Sequence, residues 1–235
     1  MKKFACIFVI LFLVQSCKKD IKPLTFESIT LENSYEADIE VVYDLAKPNS
    51  DVAKIINSHI EKKIVEAIPN TENTNSIDEA VNAFESSYIN FKDEFFDTER
   101  AWTLDIETEL LYKTETIITM GLSVYIDTGG AHGNDAIQLL NFNPETGKLY
   151  TKESLISDSD GFKKLAESFF LDHMKNEGTD IRQFFFGKPF QLPENIGFND
   201  EGIILLYNTY EISSYNHGYT EFVIPMDKAK AFLNI

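Results

Sequence analysis

Two stretches of the chain carry the residue types best suited to chemistry. The first, "DTGGAHGN", spans residues 127–134 and sets His132 among three glycines. An imidazole can exchange a proton near neutral pH, and it can bind a metal where further ligands stand beside it. Glycine also permits backbone angles that other residues resist, and no His-Glu-x-x-His pattern adjoins the stretch. We therefore interpret it as a tight corner whose His132 can contact a partner, and we predict no metal, no cofactor and no catalytic residue.

The second stretch, "YNTYEISSYNHGY", runs from Tyr207 to Tyr219 and holds four tyrosines. A surface tyrosine offers a large, rigid contact area together with a hydroxyl group, and a neighbouring carboxylate can pair with a cation. Alternating tyrosines are equally typical of a strand that completes a sheet core, and that interpretation stays open. The predicted binding residues are His132, Tyr210, Glu211, Tyr215 and His217.

Hydrolytic chemistry finds less support in the sequence. The chain has no Gly-x-Ser-x-Gly elbow, and its two cysteines are Cys6 and Cys17, so a nucleophile with an adjacent base is not recognisable. Carboxylates are plentiful, but without geometry any two of them could be named acid and base. A non-enzymatic binding module is the leading hypothesis. The alternatives are an enzyme with Glu211, His132 or His217 in its site, and a purely structural protein.

Residues 1–16 predict an export signal. Lys2 and Lys3 precede "FACIFVILFLV", an apolar run of eleven residues, whereas a membrane-spanning helix needs roughly 20. Ser16 and Cys17 then resemble the lipobox of bacterial lipoproteins, and the lysines that follow resemble those of Bacteroidetes lipoproteins. The resemblance implies that Cys17 is acylated and anchors the protein in the cell envelope, on the outer membrane. Ordinary secretion with an unmodified Cys17 is the alternative.

The net charge bears on the kind of partner. The formal charge is −17, and removal of two leader lysines makes it −19. Such a surface repels phosphate backbones, so we predict no nucleic-acid partner. It attracts cationic partners and raises their encounter rate at low salt, although acidity can also serve solubility alone.

The apolar periodicity predicts three long helices. Residues 52–68 and 77–95 repeat apolar side chains at intervals of three and four, and Ser76 with Glu79 has the spacing of a capping box. A third helix follows "SDSDG", whose acidic residues favour a helix start over a calcium loop. The run "FFF" at 184–186 predicts either core or an exposed partner patch.

Alternating patterns predict the strands. Residues 38–45, 102–110, 118–126 and 136–142 alternate or run apolar, and further strands follow in the last fifth of the chain. Because helices and strands occur in separate runs, we predict an α+β fold, with an antiparallel β-sheet meander and helices packed on one side. The predicted organisation is a signal peptide at 1–16, a lipid-proximal tether at 17–34, and two small tandem α+β domains at 35–142 and 143–235.

Three segments together resemble a known extracellular region. They are "YIDTGGAHGN", "NFNPETGKLYTKESLI" and "GIILLYNTYEISSYNHGYTEFVIP". They resemble the region shared by lysozyme-sensing anti-sigma factors of the RsiV type and the N-terminal part of peptidoglycan deacetylases of the PdaC type. The match extends from about residue 35 to 235 and is most specific in the second half.

The resemblance implies an envelope module that binds something outside the membrane. In the anti-sigma relatives the partner is lysozyme, so the predicted partner here is a basic, lysozyme-like protein or a cell-wall glycan. Tyr210, Glu211 and Tyr215 are the residues carried over as candidates for that surface. We recognise neither a sigma-binding segment nor a deacetylase domain, and we therefore expect the module alone on a lipid anchor.

Overall fold

The computed structural model describes residues 24–71, 74–95 and 100–235. The predicted export signal and Cys17 lie outside these residues. Two sheets organise the chain, one with five strands and one with three, so the predicted α+β class is confirmed. None of the helices in the described ranges is long and apolar enough to cross a bilayer.

The five-stranded sheet takes its strands in chain order. Its first strand pairs antiparallel with the second, and the last three form the predicted antiparallel meander. The second and third strands, outside the meander, pair in parallel. The strands are β1 (Phe26–Thr30), β2 (Asp38–Ala46), β3 (Thr103–Lys113), β4 (Ile118–Asp127) and β5 (Asn134–Phe142).

Two helices explain the parallel pair. Helices α1 (Asp51–Ala67) and α2 (Ile77–Glu94) follow β2 and carry the chain back to the start of β3, and such a crossover is what a parallel pair requires. The Ser50 and Ser76 hydroxyls cap these helices by accepting backbone N–H groups, and the Ser76 cap confirms the start predicted for α2. The apolar helix faces and one face of the sheet form the first core, which includes the fully buried Ile56, Ile60, Ile64, Leu104 and Ile106.

The second half builds its own core. Helix α3 (Lys152–Leu155) precedes α4 (Ser159–Asn176), which packs on the sheet of β6 (Asn195–Phe198), β7 (Gly202–Tyr207) and β8 (Thr220–Pro225). The Asp158 carboxylate caps α4 by accepting the Gly161 N–H, which confirms the predicted helix start. A short helix, α5 (Met226–Ala229), follows β8. The aromatic rings of Phe170, Phe190, Tyr207 and Phe222 meet in this core.

Asparagine side chains join the two sheets. At the edge of β5, the Ile137 N–H donates to Asn208 Oδ1 at 2.8 Å, and Asn208 Nδ2 donates to the Ile137 carbonyl at 2.9 Å. The Leu139 N–H donates to Asn195 Oδ1 at 3.0 Å. These amides therefore take the place of a neighbouring strand and satisfy an edge that would otherwise be open.

Two predictions need correction. The tether predicted over residues 17–34 is wrong for Phe26–Thr30, because Phe26 and Ile29 pack on the first core and the segment adds strand β1 to the sheet edge. The "FFF" run divides between both of its predicted roles. Phe184 and Phe185 are buried in the second core, whereas Phe186 is 63% exposed.

Candidate functional site

A buried carboxylate holds the glycine corner. Asp127 ends β4 and is 1% exposed; it pairs with Arg100 and accepts the Gly129 N–H at 2.9 Å. Gly129 has a φ of +79°, which disfavours other residues at this position. Asp127 therefore holds the corner between β4 and β5 in place, and His132 lies at the tip of this corner.

The tip of this corner meets the tyrosine-rich segment. The His132 ring stacks on Tyr215 with ring centroids 4.0 Å apart and an interplanar angle of 23°. His132 Nε2 lies 3.3 Å from the Tyr210 hydroxyl, and the Tyr210 and Tyr215 rings are 5.5 Å apart. We call His132, Tyr210 and Tyr215 the aromatic corner. Three of the five predicted binding residues thus lie side by side.

The hydrogen bonds of His132 define its neutral tautomer. Its Nδ1 lies 2.7 Å from the Gly133 carbonyl, and a carbonyl can only accept, so Nδ1 carries a proton. In the neutral ring, Nε2 then accepts from the Tyr210 hydroxyl. The Tyr215 hydroxyl also donates to the Gly133 carbonyl, at 3.4 Å. The histidine is thus oriented by the same carbonyl that receives Tyr215.

The corner is accessible. His132 is exposed, Tyr215 is half-buried and Tyr210 is 52% exposed. Tyr210 adopts a φ of +68°, a region that non-glycine residues seldom occupy and that occurs often at functional sites. The conformation turns the chain sharply after β7 and leaves the Tyr210 ring at the surface.

Tyr125 borders the corner on the sheet side. It lies on β4, is 37% exposed, and its ring covers Gly133, where a Cβ atom would fall 2.3 Å from the tyrosine hydroxyl. Gly133 therefore permits a close approach. Tyr125 was not among the predicted binding residues, although it occupies an outward-facing position in the alternation of β4, which is the signal for an exposed side chain.

Asp135 ties the tyrosine segment to β5. It accepts from the Thr209 hydroxyl at 3.3 Å, and its carboxylate also acts on the Tyr219 hydroxyl. Burial, together with the hydrogen bond to Asp135, raises the pKa of Tyr219. The hydroxyl therefore stays protonated near neutral pH, and the Thr209 hydroxyl donates to Asp135. This contact holds the end of the loop against the sheet.

Both carboxylate oxygens of Glu211 accept hydrogen bonds from the chain's own backbone. Its Oε1 accepts the Glu194 N–H and its Oε2 accepts the Asn208 N–H, both at 2.9 Å. Such bonds satisfy the backbone of the turn that carries Tyr210. The geometry supports a positioning role for Glu211 in place of the predicted pairing with a cation.

His217 lies away from the aromatic corner. It belongs to the same 3₁₀ turn as Tyr215, Tyr215–His217, but its ring packs on Phe184 with centroids 5.4 Å apart. It lines a separate cleft of about 380 Å³ with His173 and Glu177. Its Nδ1 is buried without a hydrogen-bond partner among the described residues. In the described ranges, no group of three or more His, Cys, Asp or Glu residues is placed to hold a metal ion.

Two family models match different parts of the chain. Residues 30–135 match the model described as Deacetylase PdaC, and residues 153–227 match the model described as Protein of unknown function (DUF3298). His132 falls in the first match, whereas Tyr210 and Tyr215 fall in the second. The aromatic corner is therefore assembled from both matched regions. No curated protein matches the chain.

Two solved structures are similar to this chain over nearly its whole length. A DUF3298 family member from Bacteroides fragilis is 16% identical, with a TM-score of 0.67, over 92% of this chain and 96% of that one. A DUF3298 family protein from Pseudomonas aeruginosa is 20% identical, with a TM-score of 0.67, over 91% and 96%. At these identities the likeness concerns the fold. This chain therefore has the fold of solved DUF3298 family structures, and its residues 30–135 and 153–227 match the Deacetylase PdaC and DUF3298 models respectively.

Proposed function

We propose that this protein is a lipid-anchored module of the cell envelope that binds a basic extracytoplasmic protein of the lysozyme type at its aromatic corner. The observation that carries the proposal is the convergence of His132, Tyr210 and Tyr215 on one accessible surface. The role is binding without catalysis. The lipid anchor is Cys17, and the site on the outer membrane follows from the lipobox resemblance.

The composition of the corner supports a protein partner. Tyrosine has a large ring with two side-chain torsions, so it gives contact area at a low entropic cost, and it is enriched among the residues that dominate binding energy. Tyr210 and Tyr215 are held by the His132 contacts before any partner arrives. A preorganised surface loses less conformational freedom on binding.

The charge supports a basic partner. The formal charge of −17 arises because the chain has 38 Asp and Glu residues and only 21 Lys and Arg residues. Long-range attraction raises the association rate of a basic protein. Added salt weakens this attraction because it shortens the Debye length, which is about 8 Å at physiological ionic strength. The proposed partner therefore binds through tyrosine contacts after electrostatic encounter.

A calorimetric titration tests the proposal. The chain from Lys18 to Ile235 contains every described element and is titrated with lysozyme, and with cytochrome c as a basic control. We expect saturable binding of lysozyme at 0.15 M salt and weak, salt-labile binding of cytochrome c. Tyr210→Ala and Tyr215→Ala each weaken lysozyme binding by roughly tenfold, as expected for interface tyrosines. Equal binding of both basic proteins contradicts the proposal.

Matched variants locate the surface. Tyr35 is a half-buried tyrosine on the first half of the chain, and Tyr35→Ala should leave the lysozyme affinity unchanged. His132→Ala should weaken binding as Tyr215→Ala does, because it removes the ring against which Tyr215 stacks. An effect of Tyr35→Ala equal to that of Tyr215→Ala would assign the loss to general destabilisation.

The match of residues 30–135 to a model described as Deacetylase PdaC favours a second candidate, a cell-wall glycan. In the same titration, soluble muropeptide oligomers replace lysozyme. Saturation by the oligomers that is lost in Tyr210→Ala identifies the glycan as the ligand. Turnover of the oligomers that disappears in His132→Ala or His217→Ala supports the enzymatic alternative, and the absence of binding by either probe leaves a structural lipoprotein.

A further inference from the structure

The strands of this protein concentrate negative charge. Lys113 is the one cationic residue in the eight strands of the described ranges. Helices α1 and α4 mix lysines with carboxylates in equal number, whereas the charged residues of the strands are almost all carboxylates. We call the outward-facing Glu40, Asp105, Glu107 and Glu109 of β2 and β3 the acidic strand face.

The strand register brings these carboxylates together. Glu40 is directly opposite Asp105, and Glu107 and Glu109 follow at alternate positions. Leu104 and Ile106, on the other face of β3, point into the first core. All four carboxylates are exposed and make no ion pair within the part of the chain that the structure describes. Like charges opposite each other destabilise a sheet. The mutual repulsion of these four carboxylates therefore destabilises the sheet in the isolated chain.

An apolar groove adjoins this face. It has a volume of about 290 Å³ and lies between the outer surface of the first sheet and the second sheet. Leu111, Leu139 and Leu206 contribute apolar walls, and Glu107, Glu109 and Glu221 bring carboxylates to it. Gly121 helps to keep the groove open, because a Cβ there would lie 3.3 Å from the Leu111 side chain.

We propose that this groove binds an extended cationic segment of the partner, with lysine or arginine side chains at alternate positions. The long apolar stems of such side chains can lie on Leu111 and Leu139 while their charged ends reach the carboxylates of Glu107, Glu109 and Glu221. This inference rests on the proposed function, and it assigns a second contact of the same partner beside the aromatic corner.

The spacing of the carboxylates selects an extended peptide. Glu107 and Glu109 are two residues apart on β3, a separation of roughly 7 Å along a strand. Alternate side chains of an extended partner repeat at the same distance, so each cation meets one carboxylate. A single metal ion would need ligands that converge on a point, and these carboxylates are arranged in a row.

The groove and the aromatic corner are neighbours on one surface. Asp105 is paired in register with Tyr125, which borders the corner and covers Gly133. Glu107 is paired with Ser123 in the same way, so the acidic face continues along β3 away from the corner. A protein partner bound at Tyr210 can therefore also contact the acidic strand face.

Two peptides of identical composition test the proposal. The probe Lys-Thr-Lys-Thr-Lys-Thr-Lys has lysines at alternate positions, whereas Lys-Lys-Thr-Thr-Thr-Lys-Lys has the same charge without that period. Titration of the chain from Lys18 should show roughly fivefold tighter binding of the alternating peptide, the size expected when one further charge pair is formed. Equal affinity of the two peptides overturns the proposal.

A matched pair of variants tests the location. In Glu107→Gln with Glu109→Gln, the alternating peptide should bind roughly tenfold more weakly, because two carboxylates are removed at the groove. Glu61→Gln with Glu167→Gln removes the same charge from exposed positions of α1 and α4 and should leave the preference intact. An equal loss in both double variants assigns the binding to net charge and overturns the groove.

The chain has lysines of its own at Lys18, Lys19 and Lys22. A version that begins at Leu24 lacks them. Unchanged affinity for the alternating peptide supports a partner segment as the occupant. An increase of fivefold or more shows that these lysines compete for the groove, which overturns the assignment to a partner.

The same titrations separate this inference from the proposed function. If lysozyme binding depends on Tyr210 and the two peptides bind equally, the groove is not a binding site and the aromatic corner remains the proposed one. Selective binding of the alternating peptide that requires Glu107 and Glu109, in a chain that does not bind lysozyme, retains the groove and removes lysozyme as the partner.

Discussion

His132 stacks on Tyr215 with ring centroids 4.0 Å apart, and its Nδ1 donates to the carbonyl of Gly133, which also receives the Tyr215 hydroxyl. The histidine comes from the corner between β4 and β5, and the tyrosine from the loop that follows β7. The contact therefore joins the two halves of the chain. Docking of the halves and formation of the candidate binding surface are the same structural event.

A double-mutant cycle measures this contact. His132→Ala and Tyr215→Ala are made singly and together, and the free energy of unfolding is determined by urea denaturation. We expect a coupling energy of about 0.5–1.5 kcal/mol, the range for aromatic pairs. The pair Tyr35→Ala and Tyr215→Ala should be additive, since no contact links those residues. Additivity of the His132 and Tyr215 variants would contradict a persistent stack in solution.

Removing the partner of Asp127 should cost more than neutralising it. Asp127 is 1% exposed and pairs with Arg100, so Arg100→Gln leaves a buried carboxylate without its cation. Asp127→Asn loses the same ion pair but leaves no buried charge, and its amide oxygen can still accept from Gly129. We expect a loss of about 1–2 kcal/mol for Asp127→Asn and a larger loss for Arg100→Gln. The opposite order in urea denaturation would contradict this account.

Asn208 should couple the unfolding of the two halves. It forms two hydrogen bonds with the backbone of Ile137, and Asn208→Ala leaves both groups of that residue unpaired at the edge of β5. We expect a loss of about 1–3 kcal/mol. Asn33→Ala, at an exposed asparagine before β2, serves as the control and should change stability by less than about 0.5 kcal/mol.

Cooperativity gives a second measure of the same variant. In the native chain the tryptophan fluorescence of Trp102 reports the first core and the near-ultraviolet signal of the tyrosines includes the second. The two transitions should coincide in the native chain and separate in Asn208→Ala, because the link between the sheets is weakened. Coincident transitions in the variant would show that the asparagine link is dispensable.

Local patterns predicted the elements well, for identifiable reasons. The apolar spacing of α1 and α2, the Ser76 cap of α2 and the acidic start of α4 depend on nearby residues, and each prediction is confirmed. The capping interaction of α2 differs in one detail. Ser76 accepts the Glu79 N–H as expected, but the Glu79 carboxylate accepts from Asn75.

Features that depend on distant contacts were harder to predict. Strand β1 was missed because its polar sequence is stabilised by packing of Phe26 and Ile29 on residues far along the chain. The use of Glu211 as a backbone acceptor and the separation of His217 from Tyr215 depend on the folded turn. The sequence placed chemically suitable residues in two segments. Which of them would meet was decided by the docking of two sheets.

The tyrosine segment should loosen above pH 10. Burial and the hydrogen bond to Asp135 raise the pKa of Tyr219, and burial raises that of Tyr207. In each case the folded state favours the neutral hydroxyl, so its contribution is complete below the unfolded pKa of about 10 and declines as the pH rises towards the raised value. We expect the free energy of unfolding to fall with pH above 10, and to fall less steeply in Tyr219→Phe. Tyr210 is exposed at the corner, and Tyr210→Phe provides the comparison: an equal flattening by Tyr210→Phe would contradict the assignment to Tyr219.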